Sequence, residues 1–172
     1  MPSLREFRSR IRGVRSTRKI THAVELVAAT KMRRATNALL ATRRYAQLAW
    51  ELLRDVQERE EVAYHPLLEG RPDVKRRLLL VIAGNRGLVG AFNQKIAAAT
   101  LAVLASAPRS TDVVTAGRVA ARLLQRAGAH IVADFPKKDL FADPAEAAPI
   151  AELLLQRFLN GEADRVDMVY AD

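Results

Sequence analysis

Residues 3–62 read SLREFRSRIRGVRSTRKITHAVELVAATKMRRATNALLATRRYAQLAWELLRDVQEREEV. From Val14 to His65 there is no glycine and no proline. The stretch is mostly Ala, Leu, Arg, Glu, Lys, Met and Gln, which lose little on entering a helix. This composition predicts one near-continuous helix from about Ser3 to about Val62. At the usual helical rise it would be on the order of 85 Å long. A compact domain of this chain length has a radius of gyration of roughly 16 Å. The rest of the chain is too small to wrap such a helix. The helix is therefore expected to project and to need a partner, rather than lie along the surface of its own domain.

An apolar stripe is present for that partner. Leu4, Phe7, Ile11 and Val14 fall at 3-4-3 spacing, as the seam of a coiled coil does. The same register turns polar at Arg18, Thr21 and Glu25. It then resumes at Ala28, Met32, Ala35, Leu39, Thr42, Ala46, Ala49, Leu53 and Val56. The alanines would let a second helix approach closely. Where the seam is polar, Ile20, Ala23, Val24 and Val27 form a second apolar set on another face. That part of the helix is expected to meet something other than one partner helix.

Charge separates this rod from the rest. Residues 1–44 hold twelve Lys and Arg against Glu6 and Glu25, whereas the remainder has sixteen basic and seventeen acidic residues. A basic rod on a near-neutral domain points to an acidic partner: nucleic acid, anionic lipid or an acidic protein surface. Aromatic residues are only 5% and are not interleaved with the basic ones, which argues against stacking on single strands. The helix has no broad membrane-inserting face, and no apolar run is long enough to span a bilayer. With no cysteine and no secretory leader, a reducing compartment is expected.

After the helix, Tyr64-His65-Pro66 and Gly70-Arg71-Pro72 mark a connection. RLLLVIA at 77–83 is a short continuous apolar run, as a strand buried on both faces requires. A helix is expected over 91–105, with Pro108 ending the connection. Strand 112–115 (DVVT) follows, then a helix from Gly117 to Ala127, strand 130–134 (HIVAD) and a loop with Pro136, Lys137 and Lys138. A helix over 145–159 with Pro144 in its start region comes next, and strand 165–171 (RVDMVYA) is last. Alternating strands and helices argue for an α/β fold. The expected architecture is a long N-terminal coiled-coil-type helix followed by a Rossmann-like, mainly parallel sheet with helices on both faces. Residues 1–65 read as the rod and 66–172 as the α/β domain.

Gly84-Asn85-Arg86-Gly87-Leu88-Val89-Gly90 lies between a strand and a helix, where phosphate loops occur. Its spacing is G-x-x-G-x-x-G and it lacks Gly-Lys-Ser/Thr, so tight turning is the expected role. His22, His65 and His130 have no metal-ligand spacing. No serine sits in a G-x-S-x-G context, and no acid–base pair of carboxylates is identifiable. Neither a catalytic site, a cofactor nor a metal is expected.

Ser9 to Arg34 resembles the N-terminal helix of the gamma subunit of the F-type ATP synthase. The resemblance rests on Arg10-Ile11, on Thr17, Lys19-Ile20-Thr21 and Ala23, on Val27-Ala28-Ala29 and Lys31-Met32-Arg33-Arg34-Ala35, and on Arg43 with Tyr45-Ala46. Asn85 to Asn93 is similar to the family's S-D-R-G-L-C-G-G-[FY]-N loop, and Phe158 to Tyr170 also fits. Val24 replaces the family's Met, Gly84-Asn85 its Ser-Asp, Val89 its Cys and Ala91 its Gly. The family's gamma chain continues beyond the point matching Asp172, with further sheet residues and a long C-terminal helix that coils against the first. This chain is therefore expected to lack them and, alone, to transmit less than full torque.

The resemblance implies a central-stalk rotor that couples proton flow to ATP synthesis or hydrolysis and has no active site of its own. The implied partners are the alpha and beta subunits of F1, the epsilon subunit and the membrane c-ring, with no nucleic acid. The implied location is peripheral, at the cytoplasmic face of a bacterial plasma membrane. The implied contact residues are Lys19, Thr21, Val24, Glu25, Lys31, Arg33 and Arg34. Gly84, Arg86, Gly87, Gly90 and Asn93 would shape a structural loop. Two other readings compete: a basic coiled-coil module that binds nucleic acid, and a small α/β nucleotide-binding protein using Gly84 to Gly90.

Overall fold

A computed structural model describes residues 3–58, 65–68, 71–107, 110–136 and 144–171. The chain divides into two compact units, Met1–Trp50 and Glu51–Asp172.

The first unit is helical from Leu4 onward. Helix α1 runs over Leu4–Gln57, 54 residues, and none of them is buried. It starts on a capping box. Glu6 N–H donates to Ser3 Oγ at 3.3 Å, and Ser3 N–H donates back to Glu6 Oε2 at 3.0 Å. Two otherwise orphaned donors are thereby satisfied at the N-terminus. The Ser3-x-x-Glu6 pattern was readable and fixes a start that composition gave only approximately. The expected end near Val62 and the break at Tyr64 lie outside the described residues. Every seam residue from Leu4 to Leu53 that is a large hydrophobe is exposed, Leu4 at 79% and Met32 at 72%.

The second unit is a four-stranded, fully parallel sheet in the order β3-β2-β1-β4. The strands are β1 (Arg76–Ile82), β2 (Ser110–Ala116), β3 (Ile131–Phe135) and β4 (Arg165–Val169). The helices are α2 (Phe92–Ser106), α3 (Arg118–Arg126) and α4 (Ala148–Leu159). Central strand β1 shows why RLLLVIA has no polar face. Successive side chains point to opposite faces. Leu79, Val81 and Ala83 enter one core with Ile96 and Ala97 of α2 and Ala120 and Leu124 of α3. Leu78 and Leu80 enter the other with Val114, Ala116 and Ile150 of α4. The steps β1 to β2 and β2 to β3 run one way across the sheet. The step to β4 runs back past β2 and β1, and its helix lies on the other face. That pairing of direction with face follows from the fixed hand of parallel crossovers.

Most expected boundaries differ from the observed ones by a residue or two, and strand β4 ends at Val169 rather than 171; two of the differences have a clear cause. Helix α4 begins at Ala148 rather than 145, after a 3-10 turn over Pro144–Glu146. Pro149 has no N–H and its ring would clash with the carbonyl of residue 145, so an α-helix cannot run through from there. Strand β2 is longer than DVVT because Ser110 and Thr111 pair in register with Arg76 and Arg77 of β1.

Candidate functional site

The residues expected to carry function fall in two places, the basic helix and the loop after β1. On α1, Lys19, Thr21, Val24, Glu25, Lys31, Arg33 and Arg34 are all exposed. At about 100° per residue they do not share one face. Thr21 and Glu25 lie four apart in one row, Val24 and Lys31 seven apart in another, and Lys19, Arg33 and Arg34 on further rows. The row Gly13, Thr17, Thr21 and Glu25 lines an open furrow flanked by Arg10 and Arg18. One helix forms the whole furrow, so it encloses nothing. Thr17 Oγ1 donates to Gly13 O at 3.1 Å and Thr21 Oγ1 to Thr17 O at 2.9 Å. Each hydroxyl has spent its proton and presents only lone pairs outward.

A second feature of α1 is a row of cations. Arg5, Arg8, Arg12, Arg15 and Lys19 repeat at 3-4-3-4 spacing, which places five cations along one face beside the apolar seam. The only carboxylates in residues 4–50 are Glu6 and Glu25. Glu6 is engaged in the N-cap and Glu25 sits 3.4 Å from His22 Nδ1. The row is left as a strip of positive charge.

The loop after β1 sits at the carboxyl end of the sheet, next to the reversal in strand order between β1 and β4. That is where open α/β sheets bind ligands. Here a side chain occupies the space. Asn93, buried at 5% exposure, accepts from Gly84 N–H at 2.9 Å and donates from Nδ2 to Arg86 O at 3.1 Å. A Cβ on Gly84 would lie 3.0 Å from Asn93 Oδ1. A phosphate would need those same loop donors. Gly90 has φ +57° and Leu88 has φ +61°, the turn that a tight loop demands. Nothing lies within 4 Å of a Cβ placed on Gly87. The glycine that permits close approach is Gly117, beyond the motif. Its φ is +126°, and a Cβ there would lie 2.3 Å from Ala83 O. Arg118 N–H donates to Asn85 Oδ1 and Val119 N–H to Gly84 O, tying the start of α3 to the loop.

The opposite end of the sheet is charged. Arg77 Nε lies 3.4 Å from Asp167, and Arg157 Nη1 lies 3.1 Å from Asp112, which also meets His130 Nδ1 at 2.9 Å. Asp164 is held below the usual carboxylate range, chiefly by the Arg76 backbone N–H, with help from the Arg71 guanidinium and Lys75 N–H, while burial works against the shift. Among the described residues no group of three or more His, Cys, Asp or Glu is arranged to hold a metal. None of the described helices is long and apolar enough to cross a membrane.

Comparison with known proteins adds what geometry alone does not supply. The pattern of the family described as ATP synthase matches residues 3–172. This chain belongs to the ATP synthase family. Its relatives include the ATP synthase gamma chain of Chlorobium limicola, 35% identical over 99% of this chain and 60% of the relative. The gamma chain of a Synechococcus strain is 39% identical over 99% of this chain and 55% of the relative. The chain thus spans little more than half the length of these ATP synthase gamma chains. Among solved structures, the Tetrahymena thermophila mitochondrial ATP synthase central stalk and c-ring is similar with a TM-score of 0.66, 21% identity, and coverage of 88% of this chain and 64% of that one. A chain of the Euglena gracilis mitochondrial ATP synthase is similar with a TM-score of 0.58 and 15% identity, over 88% of this chain and 48% of that one. At such identities the likeness is one of fold: a long helix and a parallel sheet with helices.

Proposed function

We propose that the chain is a central-stalk rotor component of an ATP synthase, coupling proton flow to ATP synthesis or hydrolysis carried out on other subunits. The observation that carries the proposal is a 54-residue helix with no buried residue in a chain whose relatives are gamma chains. Residues 1–65 act as shaft and 66–172 as the α/β domain. The Leu4-to-Val14 and Ala28-to-Val56 seam takes a second helix. Lys19, Thr21, Val24, Glu25, Lys31, Arg33 and Arg34 meet a surrounding ring of alpha and beta subunits, and the cationic row from Arg5 to Lys19 favours acidic ground on it. Gly84, Arg86, Gly87, Gly90 and Asn93 shape the loop and bind no nucleotide, a role supported by the Asn93 amide filling it. An epsilon subunit and a membrane c-ring complete the partners. The complex sits peripherally at the cytoplasmic face of a bacterial plasma membrane. Reconstitution with alpha and beta subunits tests this. The expected result is a stable complex in which ATP hydrolysis turns a bead attached to the α/β domain. Failure to join an assembled alpha–beta hexamer would sink the proposal. So would steeply salt-dependent nucleic-acid binding in its place.

A further inference from the structure

The shaft reading puts mechanical load on the chain that precedes β1, because that segment follows α1 covalently. Strand β1 is poorly placed to receive it. It is one of the two inner strands, its pairing begins at Arg76 and Arg77, and a pull across the sheet on its first residue would load ladder hydrogen bonds one after another. The segment just ahead of it is tied down instead. Arg71 Nη1 donates to Ala163 O and to Asp164 Oδ1, both at 3.1 Å, and Nη2 donates to Phe158 O at 2.8 Å. The guanidinium lies over the Phe158 ring, 4.7 Å from its centroid. Four and five residues on, Lys75 N–H and Arg76 N–H donate to Asp164 Oδ2 at 3.0 and 2.8 Å. Asp164 N–H returns a bond to Arg76 O at 2.8 Å.

These contacts join residues 71–76 to one stretch, 158–164, which runs from the last turn of α4 to the start of β4. Asp164 is only 11% exposed and Arg71 31%, so solvent screens the fork less than it screens a surface pair. A planar fork over a ring, with a carboxylate bridging two successive amides, resists a pull as a set.

We propose that Arg71, Phe158 and Asp164 form a strain-relief clamp that carries load arriving ahead of β1 into α4 and β4, sparing the first ladder bonds of β1. The inference takes the origin of the load from the rotor reading, but its test needs no partner subunit. The chain has no cysteine, so paired cysteine handles are unambiguous. The full chain is pulled at constant force between Leu67→Cys and Pro136→Cys, and separately between Gln94→Cys and Pro136→Cys. The first path runs through the clamp and the second avoids it. Arg71→Ala is expected to raise the unfolding rate by about tenfold to a hundredfold on the first path, the worth of hydrogen bonds to a charged group. On the second path the rise should be far smaller. Arg71→Lys, which keeps the charge but loses the fork, and Phe158→Leu, which loses the ring, should fall in between. They replace Arg71→Ala if it does not fold. An equal rise on both paths would make the clamp an ordinary tertiary tie, and no rise on the first would remove it altogether. Failure of the clamp leaves the rotor reading standing, and failure to assemble with alpha and beta leaves the clamp result intact.

Discussion

Helix α1 has 54 residues and buries none, whereas β1 has seven residues and buries four. Both stretches are rich in leucine. What differs is where the partner surface comes from. Strand β1 finds α2, α3 and α4 within its own chain, so its apolar run stabilises the unit it belongs to. The seam of α1 keeps Phe7, Ile11, Leu39 and Leu53 exposed. An isolated helix draws little from propensity alone, so the worth of those residues appears only when another surface covers them.

The largest expected effect breaks the comparison outright. Leu79→Ala, in a fully buried position, should cost about 2–5 kcal/mol by denaturant titration of the sheet unit. Leu39→Ala should change the free chain by less than about 0.5 kcal/mol, with its cost emerging in the assembled complex. If both cost the same in the free chain, α1 is already covered.

Glycines sharpen the same contrast. Gly117→Ala forces a side chain onto the Ala83 carbonyl at φ +126° and should cost about 2–4 kcal/mol. Gly13 sits within α1 with open space around it. Gly13→Ala should stabilise the helix by about 0.5–1 kcal/mol, read as helicity against temperature. Asn93→Ala comes next. It removes the acceptor for the Gly84 N–H and a donor to the Arg86 carbonyl and should cost about 1–3 kcal/mol in thermal unfolding, while Asn93→Asp keeps the acceptor but sets a carboxylate oxygen against the Arg86 carbonyl.

The smallest effect is one that acid abolishes. The folded carboxyl of Asp164 titrates below its ordinary value. Its stabilising contribution is therefore fully present above the unfolded value of about 3.9 and is lost as pH falls through the folded value. Denaturation midpoints of the wild type and Asp164→Asn should be well separated at neutral pH and converge in strong acid. A constant gap across that range would show that the carboxylate charge is not what holds the clamp.

The sequence carried most of the secondary structure, because each element has a local cause. RLLLVIA could only be a doubly buried strand, and a glycine-free, Ala- and Leu-rich stretch could only be helix. Strand order was not legible, since nothing in RVDMVYA says that it lies beside β1 rather than beyond β3. The clamp was invisible for the same reason: Arg71 and Asp164 are 93 residues apart, and each alone reads as an ordinary surface charge. The loop was half legible. Its glycine spacing argued against a phosphate site, but the plug, Asn93, shows only once helix α2 brings its first turn over Gly84. On α1 the cationic row from Arg5 to Lys19 is legible at plain helical spacing, because each of its residues follows the last by three or four.

The reversal in strand order also sets a timetable. Arg77 pairs with Arg165, 88 positions further along the chain. Helix α1 needs no distant residue and forms within about a microsecond. Strand β1 is the first of the four to be synthesised and the last to be completed, because one of its two flanks stays open until β4 arrives. Pairing at that separation is slow, and an uncovered Leu-rich strand invites association meanwhile. During synthesis, then, the ribosome holds out a helix with its seam still uncovered, attached to an unfinished sheet.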